Sequence, residues 1–258
     1  DGANLFNVST AASLVVAAAG GRVAKHGNRS VSSSSGSADV LEAAGVKLDI
    51  SPGQVAHCVD ELGIGFMFAL MHHSAMRHVS LARKELGLRT LFNILGPMSN
   101  PAGVSCQLIG VFNGALCRPI AEVLQRLGSE HVMVVHSEDG LDEISLAAET
   151  RVAELKDGVV EEYALKPEEL GVERGSLKDL GVEGVDASLQ LLTSVLAGER
   201  DQRSRRGARL VALNAGAALY VAGVASSIQE GVEAALSVLA GGAALDKLNQ
   251  LADLTQGF

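Results

Sequence analysis

The chain has 258 residues, of which 47% are apolar, so it can form one large domain with a sizeable core, or one domain and a smaller partner. Its formal net charge of −9 argues against a role in coating nucleic acid, because proteins with that role usually carry a basic face. No apolar stretch reaches the ~18 residues that a membrane span needs. Cys58, Cys106 and Cys117 are widely spaced and form no CxxC pair, which predicts reduced thiols in a cytoplasmic protein.

The first elements are predicted by capping residues and glycines. Ser9 and Thr10 are expected to cap a helix over "TAASLVVAAAG", and "RVAKH" then predicts a short strand. After a serine-rich loop, Asp39 and Glu42 have capping-box spacing at the start of "VLEAAG". Ser51 and the proline that follows it open the next helix, since proline is tolerated at the first helical position.

Apolar strands and helices then alternate. "IGFMFAL" predicts a buried strand and "AMRHVSLARKELG" an amphipathic helix, and the strand "CQLIGVF", the helix "LCRPIAEVLQRLG" and the strand "HVMVVHS" follow. This alternation is typical of βαβ units around a parallel sheet. Two alternating strands joined at Asp157-Gly158 predict a hairpin, and helices fill the chain from about Asp186. We therefore expect an α/β fold with a parallel-dominated central sheet flanked by helices.

The first candidate binding segment is "DGANLFNVST", residues 1–10. Asn7, Ser9 and Thr10 fall at a helix N-terminus, where unpaired backbone N–H groups and the helix dipole favour an anion. The alternative is an ordinary N-cap without a ligand, and this segment alone favours that alternative.

The second candidate is the loop "KHGNRSVSSSSGSAD", residues 25–39. Lys25 and Arg29 bring positive charge to the end of a strand, and closely spaced serines add hydroxyl and backbone N–H groups that can wrap a phosphate. A flexible linker would also be rich in serine and glycine. However, the loop lies between a buried strand and a capped helix, so we favour anion binding. The serines are Ser30, Ser32, Ser33, Ser34, Ser35 and Ser37.

The third candidate is the acidic loop "HSEDGLDEIS", residues 136–145. It follows an apolar strand, and open α/β sheets place their ligands at the carboxyl ends of strands. Its carboxylates are Glu138, Asp139, Asp142 and Glu143, and Mg²⁺ prefers one or two carboxylates together with waters and phosphates. The alternative is a solvated acidic turn. Together, the three segments predict one site that binds a polyphosphate and its magnesium.

These segments, together with "LRTLFNILGPMSNPA", resemble the anthranilate phosphoribosyltransferase family, within the nucleoside phosphorylase/phosphoribosyltransferase superfamily, over essentially the whole chain. The resemblance implies a glycosyltransferase that moves the phosphoribosyl group of phosphoribosyl pyrophosphate (PRPP) to anthranilate and releases pyrophosphate, in tryptophan biosynthesis. It also implies Mg²⁺ as cofactor and a cytoplasmic homodimer. Residues 1–258 would form the catalytic α/β domain, with internal segments adding part of a small α-helical domain. The family's GTGGD loop would end at Asp1, so we expect a fragment without GTGG and the N-terminal helical region.

The resemblance also implies roles for individual residues. Ser9, Asp142 and Glu143 would serve the magnesium ions. Asn28 and Arg83 would hold anthranilate, with the guanidinium of Arg83 pairing with its carboxylate. PRPP would be bound by Asp1, Asn7, Val8, Ser9, Thr10, Lys25, His26, Gly27, Asn28, Arg29, Ser30, Val31, Ser32, Ser33 and Ser37.

The catalytic set implied in this way is Lys25, Arg83, Asp142 and Glu143. His26 is open between two interpretations, a structural residue of the loop turn and a residue that lines the anthranilate route or takes up a proton. Two other functions are also considered. A pyrimidine nucleoside phosphorylase is disfavoured because its phosphate loop lacks "KHGNR", and a non-catalytic nucleic-acid-binding relative is disfavoured by the negative net charge.

Overall fold

The computed structural model describes residues 4–29, 35–72 and 95–258. The predicted helix "AMRHVSLARKELG" lies outside these ranges. Within them, strands and helices alternate up to the hairpin, and helices form the rest of the chain, as the sequence predicts. The strands are β1 (Val23–Gly27), β2 (Ile64–Phe68), β3 (Cys106–Gly110), β4 (His131–Ser137), β5 (Thr150–Lys156) and β6 (Val159–Leu165).

The helices of the described ranges begin with two that flank β1. The full set is α1 (Val8–Ala18), α2 (Ser37–Ala43), α3 (Pro52–Leu62), α4 (Ala69–His72), α5 (Cys117–Arg126), α6 (Gly184–Leu196), α7 (Gln202–Val221), α8 (Ile228–Gly241) and α9 (Ala243–Gln256). None of the helices in the described part of the chain has both the length and the apolar character required to cross a bilayer.

The described strands form two sheets. β1 and β2 pair in parallel, with Lys25 opposite Phe66. The other sheet has the order β3-β4-β5-β6, in which β3 and β4 are parallel and the hairpin β5–β6 adds antiparallel pairs. The hairpin turns at Asp157 and Gly158, whose φ angles of 52° and 75° match a two-residue turn. The α/β class with flanking helices is confirmed, and the four-stranded sheet is mixed.

Helix α7 organises the core. It packs against α1, α8, β3 and β4. Leu210, Leu213 and Ala217 are fully buried along it, because a helix that is covered on several sides needs apolar residues all round. Its Asn214 also bonds to Ile144 of the acidic loop, so α7 contacts both α1 and that loop.

Two predicted helix caps are wrong in register. Asn7, not Ser9 or Thr10, caps α1, and its side-chain oxygen accepts a hydrogen bond from the Thr10 N–H at 3.1 Å. Ser9 and Thr10 therefore lie inside the first turn. Asn, Ser and Thr all favour the N-cap, so three such residues within four positions leave the start of the helix undecided by sequence.

The second correction concerns α2, which begins at Ser37. Asp39 is the third residue of this helix and accepts a hydrogen bond from the Gly36 N–H at 3.0 Å, so it is not the N-cap. Glu42 pairs with Arg29 instead of capping. The predicted start of α3 is confirmed, because Ser51 accepts from the Gln54 N–H at 3.3 Å.

Candidate active site

A cavity of about 640 Å³ lies where β1, β3, the start of α1, the acidic loop and α7 meet. Pockets of this size suit small organic ligands. The residues that line this cavity include Ser9, Lys25, Asp142 and Glu143. The basic and acidic segments identified in the sequence therefore open onto one shared cavity.

Lys25 links the strand and the helix that border the cavity. It lies in the middle of β1, and its Nζ donates a hydrogen bond to Ser9 Oγ at 3.1 Å in the first turn of α1. Burial lowers the pKa of Lys25, and the nearby Glu143 carboxylate opposes part of this shift. The ammonium group thus lies where an anion would strengthen its charged form.

Glu143 shows the opposite behaviour. Burial raises the pKa of its carboxyl, the adjacent Asp142 raises it further, and Lys25 opposes the shift. Two neighbouring carboxylates in a partly buried cavity repel each other, so a cation between them would relieve the repulsion. This donor set fits a hard cation such as Mg²⁺.

The acidic loop is held by buried hydroxyl groups. Ser137, Ser145 and Thr150 are completely buried. Thr150 Oγ1 donates to Ser137 Oγ at 3.3 Å and accepts from the Ser145 N–H at 3.1 Å. Asp139 accepts from Ser145 Oγ at 2.6 Å and so fastens the loop internally. Of the predicted carboxylates, Asp142 and Glu143 line the cavity.

The loop also approaches β3 very closely. A Cβ added to Gly110 would lie 1.6 Å from the backbone oxygen of Asp142, so only glycine fits at the end of β3. A similar close approach occurs at Gly27, where an added Cβ would lie 2.2 Å from Ser37 Oγ. These glycines let the two candidate segments pack directly on the strands that carry them.

Comparison with known proteins identifies the family. Residues 1–245 match the family model described as "Glycosyl transferase family, a/b domain". An anthranilate phosphoribosyltransferase from Cellvibrio japonicus is 62% identical over 99% of this chain and 75% of its own length. The enzyme of that name from Marinobacter nauticus is 60% identical over 100% of this chain and 75% of its own length.

The chain belongs to the anthranilate phosphoribosyltransferase family. This confirms the family resemblance and the prediction of a glycosyltransferase-type enzyme. The fold agrees, because the crystal structure of the family member from Thermus thermophilus matches with a TM-score of 0.91 at 47% identity, over 99% of this chain and 75% of that one. A Saccharomyces cerevisiae family member in complex with PRPP and Mg matches with a TM-score of 0.87 at 26% identity, over 100% of this chain and 72% of that one.

Seven residues predicted from the family resemblance line the shared cavity. They come from the first turn of α1, from the end of β1 and the residue after it, and from the acidic loop. They are Ser9, Lys25, His26, Gly27, Asn28, Asp142 and Glu143. The specific roles of these residues stay predictions. Among the described residues, no group of three or more His, Cys, Asp or Glu side chains could hold a metal, and the predicted magnesium set has only two carboxylates.

Other predicted PRPP-binding residues are described but do not line the cavity. Asn7 caps α1, while Val8 and Thr10 are buried at 3% and 1% exposure. Ser37 starts α2 beneath Gly27. Their contacts with PRPP stay predictions.

Arg29 does not line the cavity either. Its guanidinium forms two hydrogen bonds with Glu42, at 2.6 and 2.8 Å, and one with Asp39 at 3.2 Å. It also lies 5.5 Å from the centre of the Phe68 ring. These contacts occupy its charge, so binding of a phosphate by Arg29 would require it to leave α2. The predicted residues Asp1, Ser30, Val31, Ser32, Ser33 and Arg83 lie outside the described ranges.

The sequence analysis gave no site role to two contributors to the cavity. Asn214, Ala218 and Val221 of α7 line it, although the sequence analysis predicted only helices in this part of the chain. The available signal was an amide side chain within the otherwise apolar run "VALNAGAALYVAG". The segment that includes Asn100 also lines it, and the Asn100 side chain donates to the Ala24 carbonyl on β1 at 3.0 Å.

Proposed function

We propose that this chain transfers the phosphoribosyl group of PRPP to the amino group of anthranilate and releases pyrophosphate, as a step of tryptophan biosynthesis. The observation that carries the proposal is the shared cavity, with Lys25 and the pair Asp142-Glu143 on its lining. A polyphosphate with its metal satisfies both charges at once. The S. cerevisiae relatives in complex with PRPP and Mg, and with 4-fluoroanthranilate, support the choice of substrates.

The proposed reaction depends on stabilising a leaving group. Lys25 neutralises charge on the departing pyrophosphate, and the ribose C1 develops oxocarbenium character. The neutral aromatic amine of anthranilate attacks C1 as the C1–O bond to pyrophosphate breaks. The protonated amine formed in this way is acidic and loses its proton to water, so no strong general base is needed. The remaining acceleration comes from holding the two substrates in line within one cavity.

Magnesium is the proposed cofactor. Ser9, Asp142 and Glu143 would hold it through oxygen atoms, which are the ligands that Mg²⁺ prefers. When bound, Mg²⁺ neutralises phosphate charge and improves the leaving group. The repulsion between the two carboxylates, which raises the pKa of Glu143, supports a cation at this point.

Anthranilate is proposed to bind at Asn28 and Arg83. Asn28 lines the cavity directly after β1, beside His26. A guanidinium suits the anthranilate carboxylate because it can form two parallel hydrogen bonds with it. Both interpretations of His26, structural and substrate-lining, stay compatible with its position.

We further propose that residues 1–258 act as one catalytic α/β domain, to which internal segments add part of a small helical domain, and that the chain functions as a cytoplasmic homodimer. The cavity supports a single catalytic unit, because α1 and α7 both line it from opposite ends of the sequence. Sedimentation equilibrium tests the dimer, and a monomer at all concentrations would contradict it.

A product assay tests the proposed reaction. The purified chain is incubated with anthranilate, PRPP and Mg²⁺, and loss of anthranilate fluorescence is followed. We expect loss that requires both PRPP and Mg²⁺. A folded chain that leaves anthranilate unchanged contradicts the proposal, and phosphorolysis of a pyrimidine nucleoside by the same sample would favour the phosphorylase alternative.

A further inference from the structure

Asn214 occupies an unusual place for an amide side chain. It lies in the middle of α7, among apolar residues, and is only 1% exposed. Its side-chain oxygen accepts a hydrogen bond from the Ile144 N–H at 2.8 Å. Its side-chain nitrogen donates to the Ile144 carbonyl and to the Leu210 carbonyl, both at 3.0 Å. Both ends of the amide are therefore satisfied, and most of its bonding goes to one distant residue.

Ile144 directly follows the acidic pair. Its N–H group and the carbonyl of Glu143 belong to one planar peptide unit, so fixing the Ile144 N–H fixes the plane that leaves Glu143. Residues 138–149 form no strand, so this backbone has no sheet partner. Ile144 is 1% exposed, and without Asn214 its N–H would be buried without a partner. The Asn214 side chain thus forms the hydrogen bonds with the Ile144 backbone that a neighbouring strand would form in a sheet.

The loop is restrained on its other side by β3. Gly110 leaves no space between itself and the backbone oxygen of Asp142, where an added Cβ would lie at 1.6 Å. The acidic pair is therefore held between Gly110 on β3 and Asn214 on α7.

We propose that Asn214 is a positioning residue, which acts through Ile144 to set the direction of Asp142 and Glu143 and thereby their affinity for Mg²⁺. This inference rests on the proposed function, because that function supplies the metal. Partners that orient the ligands of a metal commonly change its affinity by about 10–100-fold when they are removed.

The test replaces the amide and measures the magnesium requirement in two ways. Asn214→Leu keeps the approximate volume and removes all three hydrogen bonds. Asn214→Ala removes the same three hydrogen bonds without placing a larger apolar group beside the Ile144 peptide. The first readout is the Mg²⁺ concentration that gives half-maximal turnover. The second is PRPP binding by titration calorimetry at a series of fixed Mg²⁺ concentrations, which needs no catalysis.

The matched control is Tyr163→Phe. It removes a hydrogen bond to Glu154 at the opposite end of the same sheet, 2.7 Å long, and leaves the acidic loop unaltered. Both Asn214 variants are expected to need roughly tenfold more Mg²⁺ in both readouts, with little change in the KM for anthranilate. Tyr163→Phe is expected to lose stability but keep the wild-type Mg²⁺ requirement.

The outcomes separate this inference from the proposed function. Folded Asn214→Ala with the wild-type Mg²⁺ requirement overturns the positioning role while leaving the proposed reaction intact. An equal change in Tyr163→Phe also overturns it, since the effect would then follow general loss of stability. A wild-type chain that neither consumes anthranilate nor binds PRPP with Mg²⁺ overturns both.

Discussion

A partly buried carboxyl group lies near each end of strand β4, and the pKa values of the two groups shift in opposite directions. At the start of the strand, Glu154 lies 12% exposed beside His131. Burial alone would raise the pKa of Glu154, but hydrogen bonds from Tyr163, His131 and Tyr220 hold it below the usual value. Beyond the other end, burial and Asp142 raise the pKa of Glu143. Burial acts in the same direction on both carboxyl groups, so the opposite pKa shifts follow from their neighbours, hydrogen-bond donors at Glu154 and a second carboxylate at Glu143.

The carboxyl group of Glu154, at the start of β4, has hydrogen-bond partners within the protein for both of its oxygens. His131 Nε2 and Glu154 Oε1 are 2.8 Å apart, and the Tyr163 hydroxyl donates to Glu154 Oε2 at 2.7 Å. The His131 ring meets the Tyr220 ring edge-on, with centroids 4.8 Å apart. Satisfied networks of this kind stabilise the fold and offer no site for a ligand. The following experiments test whether the two ends differ in this way.

The largest effect is expected at the cavity end. Asp142→Asn combined with Glu143→Gln should lower turnover by about 100-fold or more, because the proposed metal site loses its charge. The melting temperature should stay the same or rise, since the change also removes a buried repulsion. Steady-state kinetics and calorimetry measure the two quantities. Glu138→Gln, on the exposed part of the same loop, is the matched control, and wild-type turnover in the double variant would contradict the metal role.

The reverse pattern is expected for Glu154→Gln. A glutamine in this place presents an NH₂ group to a donor, so one buried hydrogen bond is lost. Stability should fall by about 1–3 kcal/mol in urea denaturation, while turnover per folded molecule stays unchanged. Glu161→Gln, which is exposed on the paired strand, should change stability by no more than about 0.5 kcal/mol. A loss of turnover with unchanged stability would remove the distinction between the two ends.

The pH dependence of stability, measured without Mg²⁺ or PRPP, also distinguishes the carboxyl groups at the two ends of β4. Because the folded pKa of Glu154 is lowered, its contribution to stability is complete above the unfolded value of about 4.3 and is lost as pH falls toward the folded pKa. Because the folded pKa of Glu143 is raised, stability declines as pH rises from that unfolded value through the folded pKa.

Urea denaturation across pH should therefore give difference profiles of opposite sign. The difference in unfolding free energy between wild type and Glu154→Gln should become smaller in acid. The amount by which the Asp142→Asn, Glu143→Gln variant exceeds wild type in unfolding free energy should increase toward neutral pH. Each unit of pKa difference corresponds to about 1.4 kcal/mol. Parallel profiles for both variants would show that the two carboxyl groups are not distinguished by their partners.

The sequence predicts those parts of this comparison that depend on local signals. The Asp157-Gly158 turn and the Ser51 cap are decided within four residues, so pattern and residue type suffice. The acidic loop was found because it follows an apolar strand. The cap of α1 was assigned wrongly, since Asn7 and its neighbours are all suitable and only packing selects one of them.

Long-range contacts were not predictable in this way. Arg29 suits a phosphate by residue type, yet its geometry is set by Glu42, which only the folding of α2 brings close. Asn214 contacts Ile144 across 70 residues of sequence, and no periodicity signals that pairing. The division of carboxylates into Asp139, which fastens the loop, and Asp142, which faces the cavity, likewise depends on hydroxyl groups supplied by other segments.

The smallest effect is expected for Lys156, which contacts Tyr220 in the cluster around Glu154. Lys156 Nζ donates to the Tyr220 hydroxyl at 2.9 Å, but the lysine is exposed. Exposed charged contacts contribute little, so Lys156→Met should lower stability by no more than about 0.5 kcal/mol in urea denaturation. If Lys156→Met lowered stability as much as Glu154→Gln, exposed contacts in this cluster would contribute as much to stability as buried ones.

The central claim is that one bound PRPP, with its metal, bridges Lys25 and the acidic pair. Titration calorimetry of PRPP with Mg²⁺ into wild type, Lys25→Met, Asp142→Asn with Glu143→Gln, and the combined variant measures this directly as a double-mutant cycle. The account predicts that each change weakens PRPP binding and that the two losses are not additive, with a coupling of about 0.5–3 kcal/mol. PRPP affinity that is indifferent to either change, or strictly additive losses, would contradict it.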